Sequence, residues 1–493
     1  MVFIADSGRG ICNMLKKVRQ LFGNRVATSR HIRQRRWGHE SLEGRLMLAG
    51  DVMTTLVGGV LTITGDDSAN DVSLVRGPGF GEYLIEGNDT NIMGKVLIND
   101  PFMQIIVDLQ GGSDTFTIEG PSQTDQILIP SDIQINNSDG MNTNNIINAQ
   151  VNGNIDVDKI AGASESNFNV VGSTIIGSVH LDNAGGGPFN GDSKTTITGD
   201  SVLQNDLTII NNDGEDIFVI VSSEVDGDID ISNGNGDTRS IFGVTEDPIV
   251  YGDIDITNMV GTDTLIMNDT HVWGNVNVNN GEGNTSTTVE VSNFGIGAPS
   301  GNTGDFEIDN GKGFDKFLWT DSDTRDDLEI NNHGNGDGHD PPVMDKFGSE
   351  TDIMDSRIGN DLEIESDNGF DSINLNNVEI VDDFNSTFEL HDGGSLVMLV
   401  DSTVQEGFTL ETGEGRDHII FDNTTVGGDV VIDLFGGVDT VEVLRGSRLL
   451  GATDLDGGDD IDMFIRQLGP PSEAVDIAFL EFENLEVDSF ILE

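Results

Sequence analysis

The sequence predicts an all-β fold, namely a right-handed parallel β-helix (β-solenoid) of about 15 coils with a C-terminal cap. A glycine turn recurs from Gly112 to Gly457, in most cases every 20 to 28 residues, and a period in that range is typical of solenoids. The segment before each turn alternates apolar and polar residues, which indicates a half-buried strand. We expect right-handed winding because parallel crossover connections are almost always right-handed.

The stretch Tyr251–Met267 contains one complete repeat unit. Ile254 and Ile256 lie on one side of a strand that runs into Asn258, a turn follows at Gly261, and a second strand then begins. The residues between the apolar positions of such strands are mostly Asp, Glu, Asn or Thr, so the apolar side is predicted to face inward. The asparagines that precede the turns are predicted to stack as an amide ladder: Asn183, Asn211, Asn233, Asn258, Asn279, Asn310 and Asn331.

The repeat pattern divides the chain into four parts. Residues 1–50 form a basic N-terminal sorting or flexible segment, and residues 51–125 form the β start of the stack. Residues 126–470 are the β-helix body, and residues 471–493 lose the glycine turn and are predicted to form the C-terminal cap. Such a cap is needed because an uncovered sheet edge would pair with other chains.

The charge of the chain is distributed unevenly. Residues 1–50 contain ten Lys/Arg and three Asp/Glu, a net charge of +7, whereas residues 51–493 contain 14 and 84, a net charge of −70. The body should therefore repel nucleic acid and attract cations. The alternative is that the acidic residues only keep the surface strongly solvated. The single cysteine, Cys12, excludes an intrachain disulfide, and no apolar run approaches the length of a membrane-spanning helix.

The basic N-terminal segment allows two interpretations. Ile11, Leu15, Val18 and Phe22 have helical spacing beside basic residues, which predicts a short amphipathic helix; the alternative is a disordered basic tail. A conventional signal peptide needs an apolar stretch of 7–15 residues, and none follows these charges.

The segment Ser41–Asp51 resembles the N-terminal "LExRxxLA" sorting segment of large secreted repeat proteins of planctomycete bacteria. The matching positions are Leu42, Glu43, Arg45, Leu46, Leu48 and Ala49. The following stretch, Leu56–Leu74, resembles the common opening unit of the same proteins. The resemblance implies export and an extracellular or cell-surface location.

Many turns share the pattern Gly-x-Asp-x-apolar, which resembles the nonapeptide of calcium-binding RTX repeats. Calcium takes six to eight oxygen ligands, and glycine turns expose carbonyl oxygens beside the carboxylates. RTX repeats recur every nine residues, whereas these turns recur about every 23, so the pattern is a related or degenerate one. The alternative is that each Asp only shapes its turn. The predicted calcium ligands are Asp114, Asp216, Asp263, Asp315, Asp371, Asp417, Asp439 and Asp459.

Two functions are compatible with this sequence. The first is a non-catalytic exported or cell-surface solenoid with a structural or adhesive role, whose partners would be calcium ions and polysaccharide or cell-envelope components. The second is a carbohydrate-active β-helix enzyme of the lyase or hydrolase type, because such folds host these activities. No catalytic residues are predicted. The inserted loop around His333, Asp337, His339 and Asp340 is a further candidate metal site, and the body arginines available to a lyase are scattered: Arg325, Arg357, Arg416, Arg445, Arg448 and Arg466.

Overall fold

The computed structural model describes residues 50–159, 165–183, 191–243, 247–296, 304–333, 347–367, 369–388, 393–459, 462–467 and 475–483. Within these ranges every regular element is a β-strand. Residues 1–49 of the basic N-terminal segment lie outside the described residues, so its predicted helix or tail stays a prediction.

Each coil contains three strands, which we assign to three faces of the solenoid. In one coil, face 1 is Ile254–Thr257, face 2 is Asp263–Asn268 and face 3 is His271–Val272. Each strand pairs in parallel with the equivalent strand of the next coil, for example Ile254 with Val276. We call the connection from face 1 to face 2 turn 1, that from face 2 to face 3 turn 2, and that from face 3 to the next face 1 turn 3.

The strands of each face follow one another at one per coil. Face 1 contains Gln104–Asp108, Asp132–Asn137, Ile155–Lys159, Val179–Asp182, Leu207–Ile210, Ile229–Ser232, Ile254–Thr257, Val276–Asn279, Phe306–Asn310, Leu328–Asn332, Leu362–Ser366, Phe384–Phe388, Phe408–Glu411 and Val430–Asp433. Face 2 contains Asp114–Glu119, Asn142–Ile147, Ser166–Val171, Ser193–Thr198, Asp216–Ile220, Thr238–Phe242, Asp263–Asn268, Thr285–Glu290, Asp315–Thr320, Phe347–Met354, Phe370–Asn376, Ser395–Val400, His418–Asp422, Thr440–Leu444 and Met463–Arg466. Face 3 contains Ile127–Ile129, Ala149–Val151, Thr174–Ile175, Val202–Leu203, Glu224–Val225, Ile249–Val250, His271–Val272, Asn293–Phe294, Asp323–Thr324, Arg357–Ile358, Glu379–Ile380, Thr403–Val404 and Thr425–Val426.

The predicted β-solenoid is confirmed, and it has about 13 turns rather than 15. Complete coils with three separate strands run from Gln104 to Val426. Beyond that point, face 3 and the next face 1 merge into one strand, Arg448–Asp456, which pairs with both Thr425–Val426 and Val430–Asp433. The glycine count included these last turns, where the three-stranded pattern is no longer complete.

The N-terminal end of the stack is covered by antiparallel strands. Asp51–Val57 pairs with Val60–Thr64, and Asp71–Arg76 pairs with Tyr83–Gly87. The outermost strands, Asn91–Gly94 and Leu97–Ile98, have four and two residues. Such short edge strands limit pairing with other chains.

The C-terminal end is described only as far as residue 483. Asp476–Glu483 pairs in parallel with Arg448–Asp456, with an irregularity in register. The remaining predicted cap residues, including Leu485, Val487 and Phe490, lie outside the described residues.

The core consists of the inward-facing residues of the three faces. Ile254 and Ile256, which the alternation placed inside, are 0% and 2% exposed. Aromatic rings fill the middle of the stack, where Phe294, Phe306 and Trp319 lie with ring centroids 5.1–5.2 Å apart. Burial of these side chains supplies the main stabilisation, because it removes apolar surface from water.

Candidate functional site

Most Asp residues of the Gly-x-Asp turns point into the solenoid. They occupy the inward position where face 2 begins, directly after turn 1. Seven of the eight predicted metal ligands are only 0–3% exposed: Asp114, Asp216, Asp263, Asp315, Asp371, Asp417 and Asp439.

The eighth predicted ligand, Asp459, lies elsewhere. It is exposed in the last turn, and the equivalent inward position is filled by Asp462, which is 1% exposed. Thr440 pairs with Met463, so Asp439 is in register with Asp462. The last turn is longer than the Gly-x-Asp pattern implies. The prediction therefore named Asp459, whereas the inward residue is three positions further on.

These buried carboxyls alternate with hydroxyl groups along the stack. Strand pairing places the equivalent residues of successive coils beside one another, for example Ser193 beside Asp216. We call this series the carboxyl–hydroxyl column. It contains ten successive residues: Ser193, Asp216, Thr238, Asp263, Thr285, Asp315, Ser349, Asp371, Ser395 and Asp417.

Each hydroxyl of the column donates a hydrogen bond to the carboxyl of the next coil. The distances to Oδ1 range from 2.6 Å for Ser193–Asp216 to 2.8 Å for Ser395–Asp417. Neighbouring carboxyls are therefore two coils, or about 10 Å, apart, which weakens their mutual repulsion. Within the column, the coils that have no Asp at this inward position have a Ser or Thr there instead. They therefore belong to the same pattern and supply its hydroxyl groups.

Burial makes these carboxyls hard to ionise. Desolvation raises the pKa of Asp216 and Asp315 to about 6, although hydrogen bonds from Ser193 and Thr285 oppose the rise. Desolvation also raises the pKa of Asp371 to about 7, against the bond from Ser349. At mildly acidic pH these groups are therefore carboxylic acids, which can donate a hydrogen bond as well as accept one.

The alternation stops at the C-terminal end, where three carboxyls occur in consecutive coils. Asp417 donates its backbone N–H to Oδ1 of Asp439 at 2.8 Å, and Asp439 does the same to Asp462 at 3.0 Å. Desolvation, followed by the charges of both neighbouring acids, raises the pKa of Asp439 to about 7. This is the most acidic part of the interior that the structure describes.

The geometry of the column does not fit calcium. Calcium needs six to eight converging oxygens, whereas each carboxyl of the alternating part accepts a hydrogen bond from a hydroxyl, and the next carboxyl of the column lies two coils away. Among the described residues, Oδ2 of Asp114, Asp263 and Asp315 is buried without a hydrogen-bond partner. The column is a structural element inside the stack.

A second internal column is the predicted asparagine ladder on face 1. Each Nδ2 donates to Oδ1 of the next coil at 2.7–2.9 Å. At two positions the prediction was wrong by one residue: Asn280, not Asn279, and Asn332, not Asn331, make the hydrogen bonds of the ladder. Asn279 and Asn331 sit on the outward side of their strands, so the ladder follows the inward alternation. Its members are Asn183, Asn211, Asn233, Asn258, Asn280, Asn310 and Asn332.

A third column, at turn 2, was not predicted from the sequence. In most coils one residue has a positive φ, for example Asp269 at 54° and Asp321 at 49°, and a buried hydroxyl residue usually follows it. The hydroxyl of Ser292 accepts the backbone N–H of Thr270 at 3.2 Å, and that of Ser322 accepts the N–H of Ser292 at 3.0 Å. The signal was present as an Asp/Asn-Ser/Thr pair before six of the face 3 strands, since Asp and Asn tolerate the left-handed conformation.

The outer surface carries its own acidic column at turn 3, which we call the outer Asp ladder. Each side-chain Oδ1 accepts the backbone N–H of the equivalent residue one coil further on, for example Asp228 from Asp253 at 2.9 Å. The ladder contains Asp206, Asp228, Asp253, Asn275, Asp305, Asp327, Asp361 and Asp383.

Carboxylates converge at two places on the outer Asp ladder. In each of two groups of three, one oxygen per residue lies within 4.8 Å of the others. Desolvation, followed by the charges of Asp327 and Asp305, raises the pKa of Asp326. The groups are Asp305, Asp326 and Asp327, and Asp361, Asp382 and Asp383; none of these residues belongs to the predicted set.

The other candidates from the sequence remain apart. His333 lies between two carboxylates, with Nε2 2.9 Å from Asp309 and Nδ1 3.1 Å from Asp367. Its predicted companions Asp337, His339 and Asp340 lie outside the described residues. Among the predicted arginines, Arg357 faces Glu379 at 3.7 Å and Arg445 pairs with Asp422 in another coil.

Comparisons with protein-family models, with curated proteins and with solved structures found no match to this chain. No helix in the described part of the chain has the length and apolarity needed to cross a bilayer.

Proposed function

We propose that this protein is a non-catalytic structural or adhesive β-solenoid. The observation that carries the proposal is that three columns of polar side chains bond each coil to the next. The carboxyl–hydroxyl column, the asparagine ladder and the turn 2 hydroxyls direct their polar groups along the stack rather than toward a shared cleft. Such side chains reinforce the scaffold, as a rigid spacer or an adhesive rod requires.

The proposed location is extracellular or on the cell surface. It rests on the resemblance of Ser41–Asp51 to a sorting segment and on the net charge of −70 in the body. In that setting, polysaccharide or cell-envelope components would be the partners of the outer faces.

Calcium enters the proposal as a stabilising counter-ion on the outside of the stack. Stacked carboxylates about 4.8 Å apart repel one another, and a divalent cation would relieve the repulsion. Two clusters of three carboxylates would supply the oxygen ligands. They are Asp305, Asp326 and Asp327, and Asp361, Asp382 and Asp383. These ligands differ from the ones that the turn pattern predicted, because the buried turn residues face away from solvent.

The test is thermal unfolding of the full chain with excess chelator, with millimolar calcium and with the same concentration of magnesium. A cation that binds only the folded state raises the melting temperature by mass action. We expect a rise that is larger for calcium and that disappears in the double variant Asp326→Asn, Asp382→Asn. Glu414→Gln, an exposed acid outside both groups, is the matched control and should keep the rise. An equal rise with both metals, or an undiminished rise in the double variant, would remove calcium from the proposal.

A separate experiment addresses the structural role. Soluble fragments of polysaccharides can be incubated with the full chain, and product formation can be followed by new reducing ends or unsaturated sugars. The proposal expects binding without turnover. Turnover would instead establish the carbohydrate-active alternative.

A further inference from the structure

Part of face 2 of this acidic solenoid is almost free of carboxylates. On the eight face 2 strands from Asn142–Ile147 to Asp315–Thr320, the outward residues are Thr, Asn, Ser, Ile, Val, Leu, Lys or Arg, with the single exception of Glu290 at the strand end. We call this surface the acid-poor patch. It stands out because the body as a whole carries a net charge of −70.

Face 1 of the same coils shows the opposite composition. Its outward residues crowd carboxylates together, and desolvation, followed by the charges of Asp255, Asp228 and Asp206, raises the pKa of Asp230. The acids are Asp132, Asp156, Asp158, Asp182, Asp230, Asp255, Glu307 and Asp309. The difference between the two faces is therefore not a consequence of the repeat, which is common to both.

The middle of the acid-poor patch is apolar and flat. Val219, Ile241 and Ile266 are direct neighbours in three successive strands, and each is half-buried on the outward side. Parallel strands in register place these β-branched side chains side by side in one row. This surface matches another flat sheet, which packs at about 10 Å.

Two cations on the patch have no ionic partner among the described residues. Lys194 and Arg239 are exposed, they sit two coils apart in one column, and Ile217 lies between them. The adjoining turn 1 carries exposed acids, such as Asp237 and Glu282. A second copy that packs on the patch would bring its own acidic rim close to these cations.

We propose that a second copy of this chain docks face to face on the acid-poor patch. The outward carboxylates of face 1 would repel those of a second copy, whereas the acid-poor patch carries almost none, so contact here has a lower electrostatic cost than contact on face 1. Eight strands of about 20 Å at a spacing of about 4.8 Å give roughly 750 Å². That area is close to the roughly 800 Å² that each partner contributes to a stable interface.

The patch favours a second copy over an anionic or aromatic-stacked glycan. The acidic body would repel an anionic polymer, and the outward residues of the eight strands include no aromatic ring for sugar stacking. The inference is independent of calcium binding at the outer Asp ladder, because that ladder lies at turn 3.

The test is the mass of the full chain in solution, measured by sedimentation velocity over a range of concentrations at about 0.15 M salt. We expect a dimer. Ile241→Asp, which places a charge in the apolar row, should weaken dimerisation at least about 30-fold. Ile210→Asp is the matched control, since Ile210 is also outward and half-buried but lies on face 1, and it should leave the dimer intact.

Circular dichroism shows whether each variant still folds. If Ile241→Asp does not fold, Thr288→Asp, which is outward and directly beside Ile266 of the apolar row, provides the same charge test. A monomeric wild-type chain at all concentrations would overturn the proposal. A dimer that resists both patch variants, or that Ile210→Asp disrupts equally, would also overturn it.

Discussion

The hydroxyl of Ser349 donates a 2.8 Å hydrogen bond to Oδ1 of Asp371 in the next coil, and both side chains are buried inside the solenoid. This pair repeats along the stack with Thr in place of Ser and at the same inward position. The Asp residues of a turn pattern that resembles a calcium motif therefore form a structural column inside the solenoid.

Stability should fall as pH rises. A carboxyl whose pKa is higher in the folded state than in the unfolded state contributes stability that is complete below the unfolded pKa and is lost as pH rises through the folded pKa. For Asp371 these pKa values are 3.8 and about 7, so the loss occurs between about pH 4 and pH 7. We expect Asp371→Asn to remove this group's share of the pH dependence, about 1.4 kcal/mol of unfolding free energy for each pH unit between the two pKa values. Chemical denaturation at several pH values measures this dependence, and Glu414→Gln should leave it unchanged.

Restoring the alternation at the C-terminal end should stabilise the protein. Asp439→Ser would place a hydroxyl between Asp417 and Asp462, where three consecutive carboxyls now occur. We expect a gain of about 1 kcal/mol or more near pH 8 and little gain near pH 4, because only ionised carboxyls are penalised by burial. Ser395→Asp creates the reverse situation and should destabilise at pH 8. A gain from Asp439→Ser that is equal at both pH values would show that charge is not the cause.

The asparagine ladder offers a test of register. Asn280→Ala removes the group that accepts from Asn258 and donates to Asn310, so two buried amides lose a partner. We expect a loss of about 2–3 kcal/mol in unfolding free energy. Asn279→Ala, on the outward side of the same chain segment, should change it by no more than about 0.5 kcal/mol. Equal effects would mean that the ladder is not registered as described.

Val291 at turn 2 does not suit its backbone conformation. Val291 has φ of 53°, where a β-branched side chain is strained, while the equivalent positions in neighbouring coils are Asp269 and Asp321. We expect Val291→Asn to raise the unfolding free energy by about 1 kcal/mol. Asp321→Asn exchanges two residues that both tolerate this conformation and should be nearly neutral. A destabilised Val291→Asn would show that the exposed Val side chain has a packing role.

The fold could be predicted from the sequence because its repeat has a strong period. Glycine turns and the alternation at Ile254 and Ile256 determine which side faces inward, and hydrogen bonding between coils follows from that. The coil count was too high because merging of strands at Arg448–Asp456 leaves no mark in the glycine spacing.

The site was harder to predict because a Gly-x-Asp turn does not reveal the direction of its side chain. An Asp after turn 1 has the same local sequence whether it faces solvent or the core, and only the register with Ser or Thr one coil away distinguishes the two. At Asp459 the longer turn moved the inward position to Asp462. The outer groups around Asp326 and Asp382 could not be found from spacing, since they combine residues of different coils.

The protonation state of the carboxyl–hydroxyl column can be measured by infrared absorption of carboxyl groups in the folded chain, compared near pH 5 and near pH 8. Exposed Asp, with an ordinary pKa of 3.8, is mostly ionised at pH 5, whereas the buried members of the column are not. We predict a carboxylic-acid band at pH 5 that weakens toward pH 8 and that is reduced by Asp315→Asn and Asp371→Asn together. Absence of the band at pH 5, or an undiminished band in the double variant, would contradict the assignment of these aspartates as buried structural acids.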